Sequence, residues 1–575
     1  MKEIKIALIG GGPSALFILK KLIDANTHKL TVDIFESRES LGKGMPYSSQ
    51  GALQDHVTNI SSDELSVIFE TLEEWIHLQQ QEMLDTFNID KATFNKKQVI
   101  PRLLFGIFLE NQFNKLIVKA NDIGLVINVH LNSTVVDILP SEDGVTNSIL
   151  LKDKTIEGFN TLIICTGHRW PEKSGAYFHG YFDAPYPPHK LNKEFNHAIA
   201  LKGSSLTAID AIRTLSHANG TFIKNNRSLR FVKHQSVPNF KMVMFSLNGL
   251  LPNVRFHLDD PHVSSDGMLS DERIAVHKIQ NGGFVSLDYL FEQNFKSVLK
   301  ECDADIYRTI AHKNLEEFVD WMLESRKKFE PFTLLKIEYI QAEQSIKCEQ
   351  TIQWKKLLAL LSYTINQPAK YFSAEDTIRL HKVLQPLIAP IIANAPQSSV
   401  EQLIALHESG VLEIVPVDIN SNIIIENHHQ FSYVYDNIDH QQNTQTFKTF
   451  VDCTGQQPCS AEEFPFKRYL QENNIIPARV KFRDNKNALA LMSQGNNDLY
   501  LGDDTNYYLT LQGFAINDFY QFVYADKRVS ERCFIMAVPF ISGFNPDYSG
   551  FDFCDQVSSI IVDKICHDNS LDLSA

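Results

Sequence analysis

Apolar positions change period twice within the first 36 residues. Ile4, Ile6, Leu8 and Ile9 form a run too short for an ordinary helix, and Gly10-Gly11-Gly12-Pro13-Ser14-Ala15 follows at once. The pattern predicts a buried strand entering a glycine turn. Ala15, Leu16, Phe17, Leu19, Leu22 and Ile23 then take the spacing of a helix packed on a sheet, and 30–35 returns as a strand that ends in Glu36.

Further along, Ser61 and Glu64 have capping-box spacing, and Leu65, Ile68, Phe69, Leu72, Trp75 and Ile76 mark one face of a helix expected after them. Pro101-Arg102 opens another helix through Leu109, Phe113 and Leu116. Short strands are expected at 125–130, 134–139 and 148–151, then at 160–164, where the chain breaks at Cys165-Thr166-Gly167-His168. That ending recurs: 446–452 is a second strand running into Cys453-Thr454-Gly455. Between the copies, 198–212 again reads as strand, small-residue turn and helix. Two nested nucleotide-binding folds would produce this repeat. Strands at 229–233 and 241–245 extend the second fold, helical patterns dominate 305–409 up to Gly410, and strands resume at 411–417 and 422–425. An apolar helix is expected at 553–565.

The fold class is therefore α/β, with two nested Rossmann-like dinucleotide-binding domains and a mainly helical insertion. The boundaries fall at 1–172 (first domain, first part), 173–300 (second domain, first part), 301–410 (helical insertion), 411–456 (return strands of the second domain) and 457–575 (completion of the first domain). A chain of 575 residues exceeds one ordinary core, which agrees with this division.

A net charge of −15 argues against a nucleic-acid-binding surface and against broad adhesion to anionic membranes. No stretch of about twenty apolar residues occurs, and the amino terminus lacks signal-peptide regions, so a soluble, cytoplasmic protein is expected. The eight cysteines, at 165, 302, 348, 453, 459, 533, 554 and 566, include no C-x-x-C pair, and idle thiols in a reducing compartment are the expectation. His257, Asp259, Asp260 and His262 fit no strong metal motif and read as a polar loop; no metal is expected.

The candidate chemistry lies in the first turn. Gly10 permits the tight turn, Gly12 lets backbone approach a pyrophosphate, and Ala15 at the third glycine position keeps helix close to strand. The first amides of the helix face the anion. Glu36, at the tip of the second strand, can accept hydrogen bonds from ribose hydroxyls. In the second copy Ser205 occupies the central glycine position, where its Cβ and hydroxyl hinder or reshape such a contact; nicotinamide-dinucleotide binding and a retained structural fold both stay open there. No nucleophile elbow or phosphate-transfer loop is present, so a cofactor is expected to carry the chemistry.

Together these residues resemble the two-dinucleotide-binding-domain flavoproteins, particularly the bacterial FAD/NAD(P)-binding family related to flavin monooxygenases and amine N-hydroxylases. The likeness rests on the Gly10 turn with Glu36, Gly42-Lys43-Gly44-Met45-Pro46-Tyr47, Asn59, Pro101-Arg102 with Phe105-Gly106, Cys165 to His168, 206–210, 246–252, the second Cys-Thr-Gly, and Gly543-Phe544-Asn545-Pro546. The resemblance implies FAD in the amino-terminal fold, with ribose near Glu36, pyrophosphate over Gly10, Gly12, Pro13, Ser14 and Ala15, and Gly44, Arg102, Thr166, Gly167 and Asn545 around the cofactor. It implies that the segment after Gly455 completes the FAD domain, with Gly502-Asp503 as a flavin-contact turn and 543–550 closing over the flavin. Asn59 and His168 are the flavin-edge or substrate candidates for catalysis. NADH or NADPH use stays open, because Leu247-Asn248 stands where relatives place an arginine for the 2′-phosphate; Lys202, Lys233 and Arg255 are the possible substitutes. The implied activity is an FAD-dependent oxidoreductase, an NAD(P)H-driven monooxygenase of a small organic molecule. The alternatives are an oxidase or dehydrogenase without external nicotinamide, or a non-catalytic flavin-binding protein. Substrate identity and oligomeric state are not given by sequence.

Overall fold

Two parallel sheets organise the chain in the computed structural model, which describes residues 4–27, 30–141, 145–168, 179–225, 228–247, 249–260, 269–418, 420–437, 441–546 and 550–568. In chain order their strands are β1 (Ile4–Ile9), β2 (Leu30–Phe35), β3 (Val126–His130), β4 (Thr161–Ile164), β5 (Tyr181–Phe182), β6 (Ala198–Lys202), β7 (Lys241–Leu247), β8 (Leu412–Val417), β9 (Thr449–Asp452), β10 (Gln521–Val523) and β11 (Val529–Ile535). Four helices frame the argument below: α1 (Pro13–Asp24), α2 (Arg102–Asp122), α3 (Leu206–Asn219) and α4 (Gly550–Asp568).

The first sheet has the order β10-β11-β4-β1-β2-β3, and the second β8-β7-β6-β9-β5. In these two sheets, among the described residues, only the β10–β11 pairing is antiparallel. The second sheet repeats the first, with β6, β7, β8 and β9 in the places of β1, β2, β3 and β4. A three-stranded antiparallel meander precedes the last strand in both copies, at 135–159 and at 422–447. Every residue of β2 is buried, as expected for a parallel strand covered on both faces.

The carboxy-terminal segment returns to the first domain. β11 pairs with β4 in the register Cys533 to Leu162, and α4 packs on α1, with Phe551 edge-on to Phe17 at 6.0 Å and Lys21 2.7 Å from Asp555. Gly502 and Asp503 sit instead in the turn of a separate antiparallel sheet, between Leu499–Leu501 and Tyr507–Phe514. The turn is exposed at Asp503 and is not part of the six-stranded sheet.

Three sequence expectations shift. The helical body begins at Asp271–Gln280, not near residue 301, and runs to Gln385–Ile392. Its start is hard to read because Asp271–Gln280 buries no residue and because a π turn at Glu292–Lys296 breaks the 3.6 period. The helix Gln397–Glu408, expected inside the insertion, contributes Val400, Leu403 and Leu406 to the core of the second domain. The strand Ser228–Lys233 pairs with Gly220–Asn225 in a ribbon outside the parallel sheet.

The helix expected from Leu65 is also absent over its first part. Ser62–Glu64 is a single 3₁₀ turn, and the helix is Leu72–Leu78, started by a capping box of Thr71 and Glu74. Arg255 explains the failure, since it takes both the Ser61 hydroxyl and the Glu64 carboxylate that the expected box needed. Among the described residues, no helix is long and apolar enough to cross a membrane.

Helix α2 meets the loop after β2 backbone to backbone. A Cβ on Gly106 would stand 2.1 Å from the Tyr47 carbonyl oxygen, and one on Gly42 would stand 2.6 Å from the Leu109 carbonyl oxygen. Gly to Ala inside a helix ordinarily stabilises by roughly 0.5–1 kcal/mol, but here overpacking of about 1–3 kcal/mol opposes it. Gly106→Ala is therefore expected to lower the thermal unfolding midpoint. A midpoint equal to or above that of the parent would show that the loop does not rest on α2.

Candidate functional site

The turn after β1 is fixed by a fork between strands. Gly10 has φ +105°, donates its N–H to the Phe35 carbonyl at 2.8 Å, and lies so close to β4 that an added Cβ would be 2.4 Å from the Cys165 carbonyl oxygen. Gly12 differs: its φ is −84°, and a Cβ there would meet only Gly44, with Cα at 3.5 Å. The chain itself does not require glycine at position 12. What its missing side chain leaves is backbone exposed to close approach beside Gly44 at the amino terminus of α1, where the first amides of a helix lack intrahelical partners.

Glu36 closes one side. It is 4% exposed; Oε2 accepts the Gly11 N–H at 2.9 Å and Oε1 accepts the Arg38 N–H at 2.9 Å. A carboxylate has further lone pairs on each oxygen for a ribose hydroxyl. The loop after β2 is tied to the turn by Gly42 N–H donating to the Gly11 carbonyl at 2.7 Å, and Gly44, with φ +57°, touches the Pro13 ring at 3.3 Å from its ideal Cβ position. Ser14 Oγ lies 3.5 Å from Cys554 Sγ of α4. Ala15 is fully buried against the sheet.

Thr166 and Gly167 leave the end of β4 beside this fork, with Gly167 at φ +65°. From β11 the chain continues past Met536, whose N–H donates to Ile164, to the buried Asn545, whose N–H donates to the Ile541 carbonyl. The glycine turn, Glu36, Gly44, Thr166 and Gly167 thus gather at the carboxyl edge of the sheet, where the strand order reverses between β1 and β4. That is the place an open α/β sheet offers a ligand. The residues present fit the pyrophosphate and ribose of a dinucleotide.

Arg102, Asn59 and His168 have other partners. The Arg102 guanidinium pairs with Asp210 on α3 of the second domain at 2.5 Å and donates through Nε to the Val57 carbonyl at 3.0 Å. Asp210 also accepts the Tyr186 hydroxyl at 2.6 Å. Burial works against ionisation of Asp210, but Arg102, His56 and the hydrogen bonds outweigh it and hold its pKa below the usual carboxylate range. Arg102 thus serves the join between domains. The Asn59 carbonyl accepts from Arg255, which also binds Ser61 and Glu64. His168, after the first Cys-Thr-Gly, hydrogen-bonds Gln456, after the second, so the two connecting segments meet.

Sequence reasoning missed His56. It is fully buried; Nδ1 accepts the Leu53 N–H at 3.3 Å, which leaves Nε2–H to donate to the Asp210 carbonyl at 3.1 Å and Thr214 Oγ1 at 3.0 Å. Nothing local in sequence marks it, because its partners lie about 150 residues away on α3.

The second turn copies the first in backbone and differs in side chains. Gly203 has φ +110°, its N–H donates to Phe245 at 2.9 Å, and its Cβ would stand 2.6 Å from the Cys453 carbonyl oxygen. Ser205, at φ −90° and ψ −163°, matches Gly12 at φ −84° and ψ −162°. By this register Ser246 stands where Glu36 stands. The Ser204 and Ser246 hydroxyls lie 2.8 Å apart and both donate to the Leu250 carbonyl. Of the cations named for a 2′-phosphate, Arg255 is taken by Glu64, Lys233 donates to the Pro238 carbonyl, and Lys202 ends β6 half-buried. Asn248 lies outside the described residues, as does His262 of the polar loop; His257 is 3.2 Å from Asp259, and no group of three metal-type ligands occurs among the described residues.

Two family models match the chain: one described as FAD-NAD(P)-binding, over residues 7–169, and one described as the YdhS-like middle domain, over residues 270–392. The amino-terminal domain is an FAD/NAD(P)-binding domain of Rossmann-like fold. Among curated proteins, the uncharacterized protein YdhS of Escherichia coli K12 is 26% identical over 472 residues, covering 80% of this chain and 85% of that protein. Solved structures similar to this chain include an ornithine hydroxylase of Pseudomonas aeruginosa (11% identity, TM-score 0.48, covering 98% of this chain and 99% of that one). Another is an L-lysine 6-monooxygenase of Pseudomonas syringae (10% identity, TM-score 0.48, covering 99% and 100%).

The buried His56 sets a pH dependence. Burial lowers its pKa, Asp210 opposes, and Arg102 and Arg213 lower it further. The folded pKa is below the unfolded value of about 6.5, so as pH falls below that value the unfolded chain takes up a proton that the folded chain refuses. Stability present above about pH 6.5 is lost by up to about 1.4 kcal/mol per pH unit. Because the chain has 20 histidines, the measurement is a difference: urea unfolding of the parent and of His56→Gln between about pH 7.5 and 5. The parent's loss on acidification is expected to exceed that of the variant, and parallel curves would sink the assignment.

Proposed function

We propose that this chain is an FAD-dependent oxidoreductase, most consistent with a monooxygenase in which NADH or NADPH reduces the flavin and a small organic molecule is hydroxylated. The observation that carries the reading is glycine at position 12, where the backbone does not demand it and a Cβ would meet only Gly44 at ordinary contact distance, at the fork that Gly10 and Cys165 enforce. The FAD-NAD(P)-binding match over residues 7–169 supports the choice of cofactor.

In this reading the amides at the start of α1 hold the pyrophosphate, Glu36 accepts ribose hydroxyls, and Gly44 and Thr166-Gly167 bring backbone to the cofactor. Bound FAD supplies the electron-transfer chemistry; the protein supplies binding, orientation and exclusion of water. Tyr47, partly buried beside Arg102 and Cys554, has its pKa pushed up to about 12, chiefly by desolvation, and stays a neutral hydroxyl. The helical body contacts the carboxy-terminal segment: Gln385 donates to the Pro546 carbonyl at 3.4 Å, and Tyr363 hydrogen-bonds Gln556 on α4.

A second reading, an oxidase or dehydrogenase whose organic substrate itself reduces the flavin, is favoured by the second turn. Ser205 replaces the glycine, and Ser246, turned toward Leu250, replaces the ribose-binding carboxylate. An anaerobic absorbance titration separates the two. Bleaching of the flavin bands by NADH or NADPH supports the monooxygenase, and bands that persist with both while an organic substrate bleaches them support the alternative.

The cofactor assignment has its own test. Gly12→Ala is expected to leave the unfolding midpoint of the cofactor-free protein near that of the parent, because the added Cβ meets only Gly44 at ordinary contact distance, and to weaken FAD binding by about tenfold or more (about 1.4 kcal/mol). Unchanged FAD affinity in the folded variant would remove the assignment.

A further inference from the structure

The helical body holds a cavity of about 260 Å³ that neither nucleotide fold lines. Its back wall is Phe295, Phe318 and Met322, all buried, and Ile306, Trp321, Leu334 and Trp354 line it while remaining partly exposed, so the cavity opens on their side. The back wall is ordered by ring contacts: Phe291 to Phe295 at 5.4 Å, Phe295 to Phe318 at 5.2 Å. Phe295 sits in the π turn Glu292–Lys296, the one-residue insertion that interrupts an otherwise continuous helix over 287–302. Such turns recur at functional sites.

The lining surface is almost wholly apolar, and its hydroxyl and guanidinium groups have partners in the protein. Ser325 Oγ donates to the Trp321 carbonyl at 2.7 Å. Arg326 binds Glu338 with two nitrogens, at 2.6 and 3.3 Å, and Glu338 in turn lies 3.7 Å from the buried Lys355. A buried water needs two to four polar partners, and this lining surface is almost wholly apolar, which favours an apolar occupant, as an apolar cavity of about 150 Å³ accepts benzene. Glu338 already neutralises Arg326, so an anion here would face a buried carboxylate beside the guanidinium, which disfavours anionic ligands.

We propose that this cavity is a binding site for a neutral, apolar molecule of about two fused rings, separate from the dinucleotide site. Its aromatic walls suit a flat ring system, and its volume is below that of a pocket for a drug-sized ligand. The assignment does not depend on the oxidoreductase reading.

The test uses the full-length protein and naphthalene as the probe, followed by tryptophan emission, since Trp321 and Trp354 stand in the wall. Saturable binding is expected, with 1-naphthoate binding more weakly by about tenfold or more. Leu334→Trp, placed at the partly exposed side, fills the cavity without entering the buried back wall and is expected to weaken naphthalene binding by a similar factor; Ile306→Trp is the second variant should the first fail to fold. Absence of saturable binding overturns the proposal. So does equal affinity in a folded filling variant, which places the probe elsewhere, and so does equal affinity for naphthoate, which removes the neutral class.

Discussion

The structure depends on one close approach, that of a glycine α-carbon to the carbonyl at the end of a neighbouring strand. Gly10 against Cys165 and Gly203 against Cys453 leave 2.4 and 2.6 Å where a Cβ would stand, and both glycines have φ near +105° to +110°. Space and conformation exclude a side chain independently. The contact forces β1 and β4, and again β6 and β9, together at their carboxyl ends just where the chain turns into a helix. The crevice, the helix amino terminus and the exit at Thr-Gly all follow from it, in both copies.

Side chains then decide how the two copies are held. Arg102 to Asp210 and Arg255 to Glu64 join the first domain to the second, and each ion pair is reinforced by neutral partners: Tyr186 and the Val57 carbonyl for one, Ser61 and the Asn59 carbonyl for the other. A buried pair gains little net stability once desolvation is counted, whereas removing one member costs about 3–5 kcal/mol. Such pairs therefore select one arrangement of the domains more than they strengthen it. His56 extends the same join, donating to the backbone of the residue whose carboxylate Arg102 holds. The domain interface is thus a polar device laid between two apolar cores.

This division explains what could be read from sequence. The first strand, turn, helix and second strand were legible because each obeys a local rule: an apolar run, glycine chemistry, a 3.6 period and an acid at the strand tip. The duplication was legible because the close-approach contact leaves its mark twice, in Cys165-Thr166-Gly167 and Cys453-Thr454-Gly455. The join was not, since Arg102 and Arg255 find partners 108 and 191 residues away. The same distant contact misled the local reading of Ser61 and Glu64, which have capping-box spacing but serve Arg255. At Glu292–Lys296 the helical period itself changes, so the early helices of the insertion gave no regular signal.

Positions 12 and 205 separate what the fold needs from what a ligand needs. Their backbones agree within a few degrees, both in the extended region that any residue adopts, and one carries glycine while the other carries serine. The duplicated turn therefore folds with or without a Cβ at this point, in contrast to Gly10 and Gly203, where it does not. Glycine at 12 adds nothing to the chain's own packing, and serine fits the same backbone at 205, where its side chain makes no capping hydrogen bond. Leaving position 12 bare makes physical sense when something outside the chain approaches there, and the neighbouring groups say what kind of thing: the first amides of a helix, a buried carboxylate and close backbone on two sides. The second turn, with its hydroxyls bound to Leu250 and no carboxylate, keeps the fold and withdraws half of that chemistry. The two copies thus differ at this turn in side chains carried on backbones that agree within a few degrees.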